Sequence, residues 1–402
     1  MDSEQKTERK VVTLAEILAE PATVAGLRER GPIHRAALPD GTAAWVVIGY
    51  DEAADALSDP RLSVAAMTAA GVIDSGKLTP AQRNGLLRGL TSTDPPDHTR
   101  LRRLVSSAFT ARRVAAMRPW INSLTETLID GFAPAGRVEL MSQLALPLPM
   151  LVISEMLGIP EVDRPRFREW SRALISSMGT PDFPLDSALE FLDFLRVLCA
   201  DKREHPDDGL ISALIRARDD GVALSEDELT SMVFLMVIAG HDTTVGLIGN
   251  GMYLLLNNPE QLDAVRADPS LLPAAIEEFL RLESPVPIGT FRCAVDSFEI
   301  AGTRIETGDL VLISLQSANL TPAQFTDPER LDPGRSQGRH LAFGHGIHYC
   351  LGAPLARLEA EAAIGALLRR FPALRLEDPA AELAWSRSAF VHRLDTLPLA
   401  LN

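Results

Sequence analysis

The chain predicts a mainly helical protein with a minor β portion, and three observations carry that prediction. Apolar residues recur at helical spacing over most of the 402 residues. One long segment, Ser225 to about Asn257, is apolar nearly all round. Short β-like pieces, Phe298 to Ile300, Thr303 to Ile305 and Leu310 to Ile313, cluster late and are separated by turns at Gly302 and Gly308.

Taken in order, Val11 to Arg30 reads as helix interrupted at Pro21, and Ala43 to Gly49, apolar and partly β-branched, reads as a strand. Helical spacing covers Thr99 to Phe109, Arg113 to Phe132, Met141 to Leu157, Glu161 to Ser177, Ser187 to Glu204 and Gly209 to Arg218. The long segment opens with a capping box, Ser225 followed three residues later by Glu228. Pro259 bars extension past Asn257. A continuous helix of roughly 32 residues would be about 48 Å long. It reads as a core helix. The rival is a membrane span, which would put His241, Asp242, Thr243 and Thr244 at mid-membrane, where a charge is costly. A last helix is expected from Ala353 to Phe371.

Composition bounds the function. No Gly/Ser linker, low-complexity tract or repeat divides the chain, so residues 1–402 are expected to form a single domain around one large core. Three scattered cysteines make no disulfide framework and fit a reducing compartment. The charged stretch Met1 to Lys10 lacks the apolar core of a signal peptide, so a cytoplasmic location without a membrane anchor is expected. A net charge of −15 argues against nucleic acid as a partner. The charge is uneven: Arg100, Arg102, Arg103, Arg112, Arg113 and Arg118 fall between His98 and Trp120 with no acidic residue among them. Such a segment is a solvated face, an anion site or a docking patch.

The run Phe343-Gly344-His345-Gly346-Ile347-His348-Tyr349-Cys350-Leu351-Gly352 sets one cysteine in a glycine-kinked loop just before the last helix. Gly344, Gly346 and Gly352 permit tight backbone bends around a bound group. The positive end of the helix would stabilise a thiolate at Cys350. Three readings fit the bare pattern. Cys350 could ligate a haem iron, pushing electron density onto it to favour O–O cleavage. With His345 and His348 it could hold zinc, although Cys199 and Cys293 offer no paired ligands. It could also be a buried thiol in a turn.

The run resembles the cysteine-ligand loop of the cytochrome P-450 haem-thiolate monooxygenases, with Phe343, Gly346, His348, Cys350 and Gly352 at the family's spacing. The resemblance covers nearly the whole chain and is closest to bacterial members of secondary metabolism. It implies the family's fold, with the long helix crossing the core beside a haem b, and Cys350 as the iron ligand within a cradle that includes Phe343, Gly344, His348 and Gly352.

At the middle of the long helix, Ala239 and Gly240 lack bulk, so a cofactor or diatomic ligand can approach the backbone. Thr243 can bond a carbonyl one turn earlier and bend the helix. Asp242 beside it is either half of a structural salt bridge at a kink or a proton source. The run resembles the family's acid–alcohol pair, which implies Thr243 on the bound oxygen and Asp242 as relay. Glu278 and Arg281, three apart on one helix face, resemble the family's structural pair that ties to the meander, here Ala318 to Arg335. Leu320-Thr321 replaces an Arg-Asp pair common in bacterial relatives. The resemblance further implies His98, Arg102, Arg292 and His348 on the haem propionates. Arg103, Arg112 and Arg113 are then expected on the cysteine side, as a basic docking patch for an acidic ferredoxin or flavodoxin.

The function expected is insertion of one oxygen atom from O2 into an apolar small molecule, most simply as a hydroxyl, in an antibiotic-type pathway. Epoxidation, aryl coupling, dehydration and peroxide-driven oxidation share the same haem site. A haem sensor and a zinc hydrolase are the rivals from other classes. Pocket walls are expected from Ser63 to Leu90, with Leu86 and Leu87, from Arg166 to Glu204, from Ala239, Val286 and Ile288, and from a turn near Phe390. Aromatic residues make up only 5% of the chain, so an aliphatic pocket suited to a macrolide, other polyketide, terpenoid or steroid is expected.

Overall fold

The computed structural model describes residues 12–17, 21–38, 41–69, 78–176, 184–218, 221–336, 338–386 and 390–402. The architecture is helical with three small sheets. The largest sheet runs, in spatial order, Val12–Thr13, Ile33–Ala37, Ala43–Val47, Leu310–Ile313, Arg292–Ala294 and Leu62–Ser63. Its central pair, Ala43–Val47 and Leu310–Ile313, is parallel, with Trp45 opposite Val311. A second sheet joins Arg375–Leu376, Pro398–Ala400 and Arg137–Glu139. The third is the hairpin Phe298–Ile300 with Thr303–Ile305, whose turn uses Gly302 at φ +73°.

Most predicted helices are present with shifted ends: Asp97–Ala108, Ala111–Phe132, Arg164–Ser176, Leu185–Glu204, Leu210–Arg216 and Ala353–Arg370. The Met141 to Leu157 segment begins as a π-turn at Met141–Ala145 and becomes α-helical at Pro147. Val11 to Arg30 is a short strand followed by two helices, Leu14–Ile17 and Pro21–Arg28. Residues 39, 40 and 70–77, parts of the expected strand region and lid, lie outside the described residues.

The long helix departs from expectation in an instructive way. It is two helices, Glu226–Gly240 and Asp242–Leu256, broken at His241 with φ −120° and ψ −49°. The capping box is formed as read: Glu228 N–H donates to Ser225 Oγ at 3.3 Å and Ser225 N–H to Glu228 Oε2 at 2.8 Å. The break has a local cause. Thr243 Oγ1 donates to Ala239 O at 2.9 Å, and His241 Nδ1 donates to Val237 O at 2.9 Å. Side chains thus bond carbonyls that belong to the backbone ladder, which bends helices. Burial pushes the His241 imidazole down from its usual value, which keeps it neutral. Its Nε2 can then accept from Ser171 Oγ at 3.2 Å.

Glycines let this helix sit deep in the core. Each costs roughly 1 kcal/mol in a helix interior relative to alanine. At Gly251, however, a Cβ would lie 2.6 Å from the ring of Phe279, so only glycine admits the helix Leu272–Leu282 at that distance. The helix Ala353–Arg370 packs on Asp242–Leu256, on Leu272–Leu282 and on Ala111–Phe132. Glu226–Leu256 is, among the described residues, the one segment long and apolar enough to cross a membrane, and most of its apolar window is buried inside the protein.

Candidate active site

The cysteine loop is closed by its own backbone. Gly344 N–H donates to Leu341 O at 2.7 Å, Cys350 N–H to Phe343 O at 2.9 Å and Tyr349 N–H to Gly346 O at 3.2 Å. Gly344 and Gly346 take φ +74° and +71°. A Cβ at Gly346 would also lie 3.0 Å from Ser58 Oγ and 3.1 Å from Leu57 O, so glycine is required there twice over. Gly352 corrects the sequence reading: at φ −78° its backbone is open to any residue. Its N–H and that of Ala353 are directed at the Cys350 sulfur. Burial pushes the thiol up, and these amides with Arg102 and Arg357 offset that in part. A bound metal ion would complete the deprotonation.

Beside the loop lies a cluster of cations with few partners. Arg292 is 2% exposed; its Nη1 donates to Ala56 O at 3.2 Å, while Nε and Nη2 have no hydrogen-bond partner among the described residues. Burial brings it down to about 10. His98 is equally buried, with Nε2 unpartnered among the described residues. The rings of His98 and His348 lie 4.4 Å apart. Burial, then His98 and Arg292, pushes His348 down to about 4. Arg102 Nη2 donates to Tyr349 O at 2.8 Å. The near carboxylate, Asp94, is occupied by Ser63 Oγ at 2.5 Å and by the Val64 and Ala65 amides at 3.3 and 3.2 Å.

At the break in the long helix, Ala239 is exposed although it sits mid-helix, and Gly240 is half-buried. Asp242 is 6% exposed. Arg393 Nε lies 3.2 and 3.4 Å from its two oxygens. The alternative of a structural salt bridge is therefore present together with the acid–alcohol pair. Nothing in the sequence pointed to Arg393, which is 151 residues away.

The cytochrome P-450 family profile matches residues 193–392. The cytochrome P-450 monooxygenase PikC of Streptomyces venezuelae is 45% identical over 94% of this chain and 90% of its own. The 6-deoxyerythronolide B hydroxylase of Saccharopolyspora erythraea is 43% identical over 94% and 95%. The chain belongs to the cytochrome P-450 family. Among solved structures, the Bacillus subtilis bacillaene polyketide synthase cytochrome P-450 PksS superposes with a TM-score of 0.87 at 38% identity, over 95% of this chain and 96% of that one. The protein is accordingly a monooxygenase whose family uses haem, takes electrons from a redox partner and acts on small molecules with O2.

The residues present fit the haem of a cytochrome P-450. The buried, unpartnered His98 Nε2 and the Nε–H and Nη2–H groups of Arg292 suit carboxylates, the loop amides support a thiolate, and Ala239 is exposed. Zinc does not fit: no group of three or more His, Cys, Asp or Glu able to hold a metal occurs among the described residues.

The support beneath the P-450 site was half legible. Arg281, 1% exposed, donates Nε and Nη2 to Glu278 at 2.7 and 2.8 Å, and reaches the carbonyls of Asn319, Pro328 and Arg330. Arg335 Nε and the Asp332 amide complete Glu278 at 3.1 Å each. Leu320 is buried in the main core, and Asn319 Oδ1 accepts the Leu341 amide at the start of the cysteine loop. Sequence reasoning missed Glu277, which bonds Arg357 Nε at 2.6 Å and His340 Nε2 at 3.0 Å. Arg357 in turn stacks 4.6 Å over the Phe343 ring. The one available signal was an Arg on the last helix at i+7 from Cys350.

Of the expected pocket residues, Leu86 and Leu87 lie half-buried on the helix Pro80–Leu87, which packs on Glu226–Gly240. Val286 is half-buried, and Phe390 stacks on Phe291 at 5.4 Å. Ile288 is 2% exposed and packs with Ala44, Val46, Ile48 and Leu312. The arginine run divides. Arg100 pairs with Glu228 and Arg118 with Glu361, Arg113 donates to Asp208 O, and Arg103 and Arg112 are exposed. Ile347 and Tyr349 of the cysteine loop are exposed at 48% and 41%.

Proposed function

We propose that this monooxygenase hydroxylates an apolar secondary metabolite of the polyketide or macrolide class, using haem b ligated by Cys350. The observation that carries the reading is the joint arrangement of an amide-lined cysteine with the buried, unpartnered His98 Nε2 and Arg292 N–H groups. His98, Arg102, Arg292 and His348 hold the propionates; Phe343, Gly344, Gly352, Ala239 and Gly240 form the faces. When bound, the haem supplies the activation of O2. Asp242 takes a proton from water and passes it to the Thr243 hydroxyl, whose own hydrogen turns away from Ala239 O and is delivered to the reacting oxygen. The Thr243 bond to Ala239 O holds that hydroxyl at the groove.

Relatives named as a hydroxylase and as a polyketide-synthase P-450 support the substrate class. Leu86, Leu87, Val286 and Phe390 line the substrate. A separate ferredoxin or flavodoxin docks near Arg103, Arg112 and Arg113, and the chain works as one domain in the cytoplasm. Purified protein should give a strongly red-shifted Soret band on reduction under carbon monoxide, and a polyketide library should yield ligands that shift the ferric spin state. A haem-loaded protein without that band would end the reading of Cys350.

A further inference from the structure

The C-terminal segment 390–395 brings a cation to the buried acid of the long helix, and its described residues are held by hydrogen bonds. Ser386 N–H donates to Arg393 O and Asp395 N–H to Ala384 O, both at 2.8 Å, while Trp385 pairs with Leu394. His392 is fixed from four sides. Its N–H donates to Pro285 O at 2.8 Å, its carbonyl accepts Asn250 Nδ2 at 2.9 Å, its Nε2 meets Glu283 Oε2 at 2.7 Å, and its ring stacks on Trp385. The next residue, Arg393, therefore has a settled backbone.

That backbone lies against Gly246, one turn beyond Asp242. A Cβ at Gly246 would sit 3.2 Å from His392 O, 3.4 Å from Arg393 Cβ and 3.0 Å from Pro285 Cβ. The missing side chain lets Arg393 reach the acid, yet the contact is not a two-nitrogen fork. A single Nε–H is shared between both Asp242 oxygens at 3.2 and 3.4 Å. Nη1 donates to Leu394 O at 3.1 Å and lies 3.6 Å from Asp395 Oδ1. One guanidinium thus serves two carboxylates, Asp242 with 8% of its side chain exposed and Asp395 with 51%.

We propose that Arg393 is a positioning residue that clamps Asp242 and releases it toward Asp395 when the acid turns to carry a proton. The inference rests on the reading of Asp242 as proton relay. A buried carboxylate held by a cation is slow to turn, because turning leaves both charges unpaired in a poorly solvated site. An exposed second acid offers the guanidinium a place to go. No bond other than hydrogen bonds is made or broken in the release, and the proton moves from water to an Asp242 oxygen and on to Thr243.

The test uses substrate-free holoenzyme, reduced by NADPH through ferredoxin and its reductase, in H2O and D2O, together with urea unfolding of the ferric form. Arg393→Gln and Asp242→Asn should be non-additive in unfolding, with a coupling of at least threefold in the unfolding constant; additivity would remove the clamp. Asp395→Asn, an exposed change, should leave unfolding unchanged, slow NADPH consumption several-fold and enlarge the D2O effect. Wild-type values for both would overturn the release. Arg393→Lys, which keeps the charge on a single nitrogen, should retain more of the coupling than Gln and serves if Gln does not fold. Should Asp242→Asn leave rate and isotope effect untouched while the coupling persists, the relay reading fails and the ion pair stands.

Discussion

Arg292 carries unmet hydrogen-bond donors, with Asp94 and Asp59 acting on its charge only from nearby, and that makes opposite predictions for the free and loaded protein. Two of its N–H groups are buried without partners among the described residues. A charged hydrogen bond contributes about 1.5–3 kcal/mol, and an unmade one costs a comparable amount. Arg292→Met should therefore raise the unfolding midpoint of the haem-free chain and weaken haem binding by about tenfold or more, measured by haem transfer to apomyoglobin. Equal haem affinity in the variant would remove Arg292 from the anchors. Cys350→Ser should keep the helical far-ultraviolet signal and lose the red-shifted carbon monoxide band. Residues of this kind were legible when the local pattern was distinctive, as with Cys350 behind the closely spaced glycines Gly344 and Gly346.

At the scale of elements, the helix Leu272–Leu282 holds the cysteine loop by two adjacent carboxylates facing different ways. Glu278 grips the meander and Glu277 grips the last helix and His340. Burial alone would raise the Glu277 carboxyl, but the bonds from Arg357 and His340 outweigh it and bring it down to about 2. The folded value lies below the unfolded one of 4.5. The pair's contribution is therefore complete above about pH 4.5 and fades as pH falls toward 2. With 40% of the side chain exposed, it amounts to no more than about 1 kcal/mol. Glu277→Gln should lower the unfolding midpoint at pH 7 by about 1 °C, and the gap to wild type should close between pH 4.5 and 2. A gap independent of pH would mean that packing, and not charge, is lost. Helix existence, capping and the late hairpin were readable because their signals lie within four residues of each other. The break at His241 was not placed, although Thr243 was read as a bending residue, because apolar periodicity continues through it.

At the scale of the molecule, the proposed docking residues Arg103 and Arg112 are exposed, as are Ile347 and Tyr349 of the cysteine loop, on a chain of net charge −15. Charge steers encounter and is screened beyond roughly 8–10 Å at physiological salt. Arg112→Glu should slow reduction by ferredoxin several-fold at low ionic strength, with the difference shrinking as salt is added, followed by stopped-flow. An unchanged rate at low salt would place the docking face elsewhere. The global fold was legible as a class and as a family resemblance. Contacts such as Arg393 with Asp242, Arg281 with the carbonyls of the meander, and Trp45 with Asp309 join residues too far apart for any periodicity to register them.

The grip of Arg281 and Arg335 on the meander has an evolutionary corollary. They hold the carbonyls of Asn319, Thr326, Asp327, Pro328 and Arg330, atoms that every amino acid supplies. A segment held by its backbone can change side chains while keeping its shape. Asn319 is the exception, since its side chain bonds both Ser284 Oγ and the Leu341 amide. Saturation mutagenesis of 318–335 should accordingly find broad tolerance at 326, 329 and 330, a preference for Asp, Asn or Gly at 327, where φ is +46°, and an almost invariant asparagine at 319.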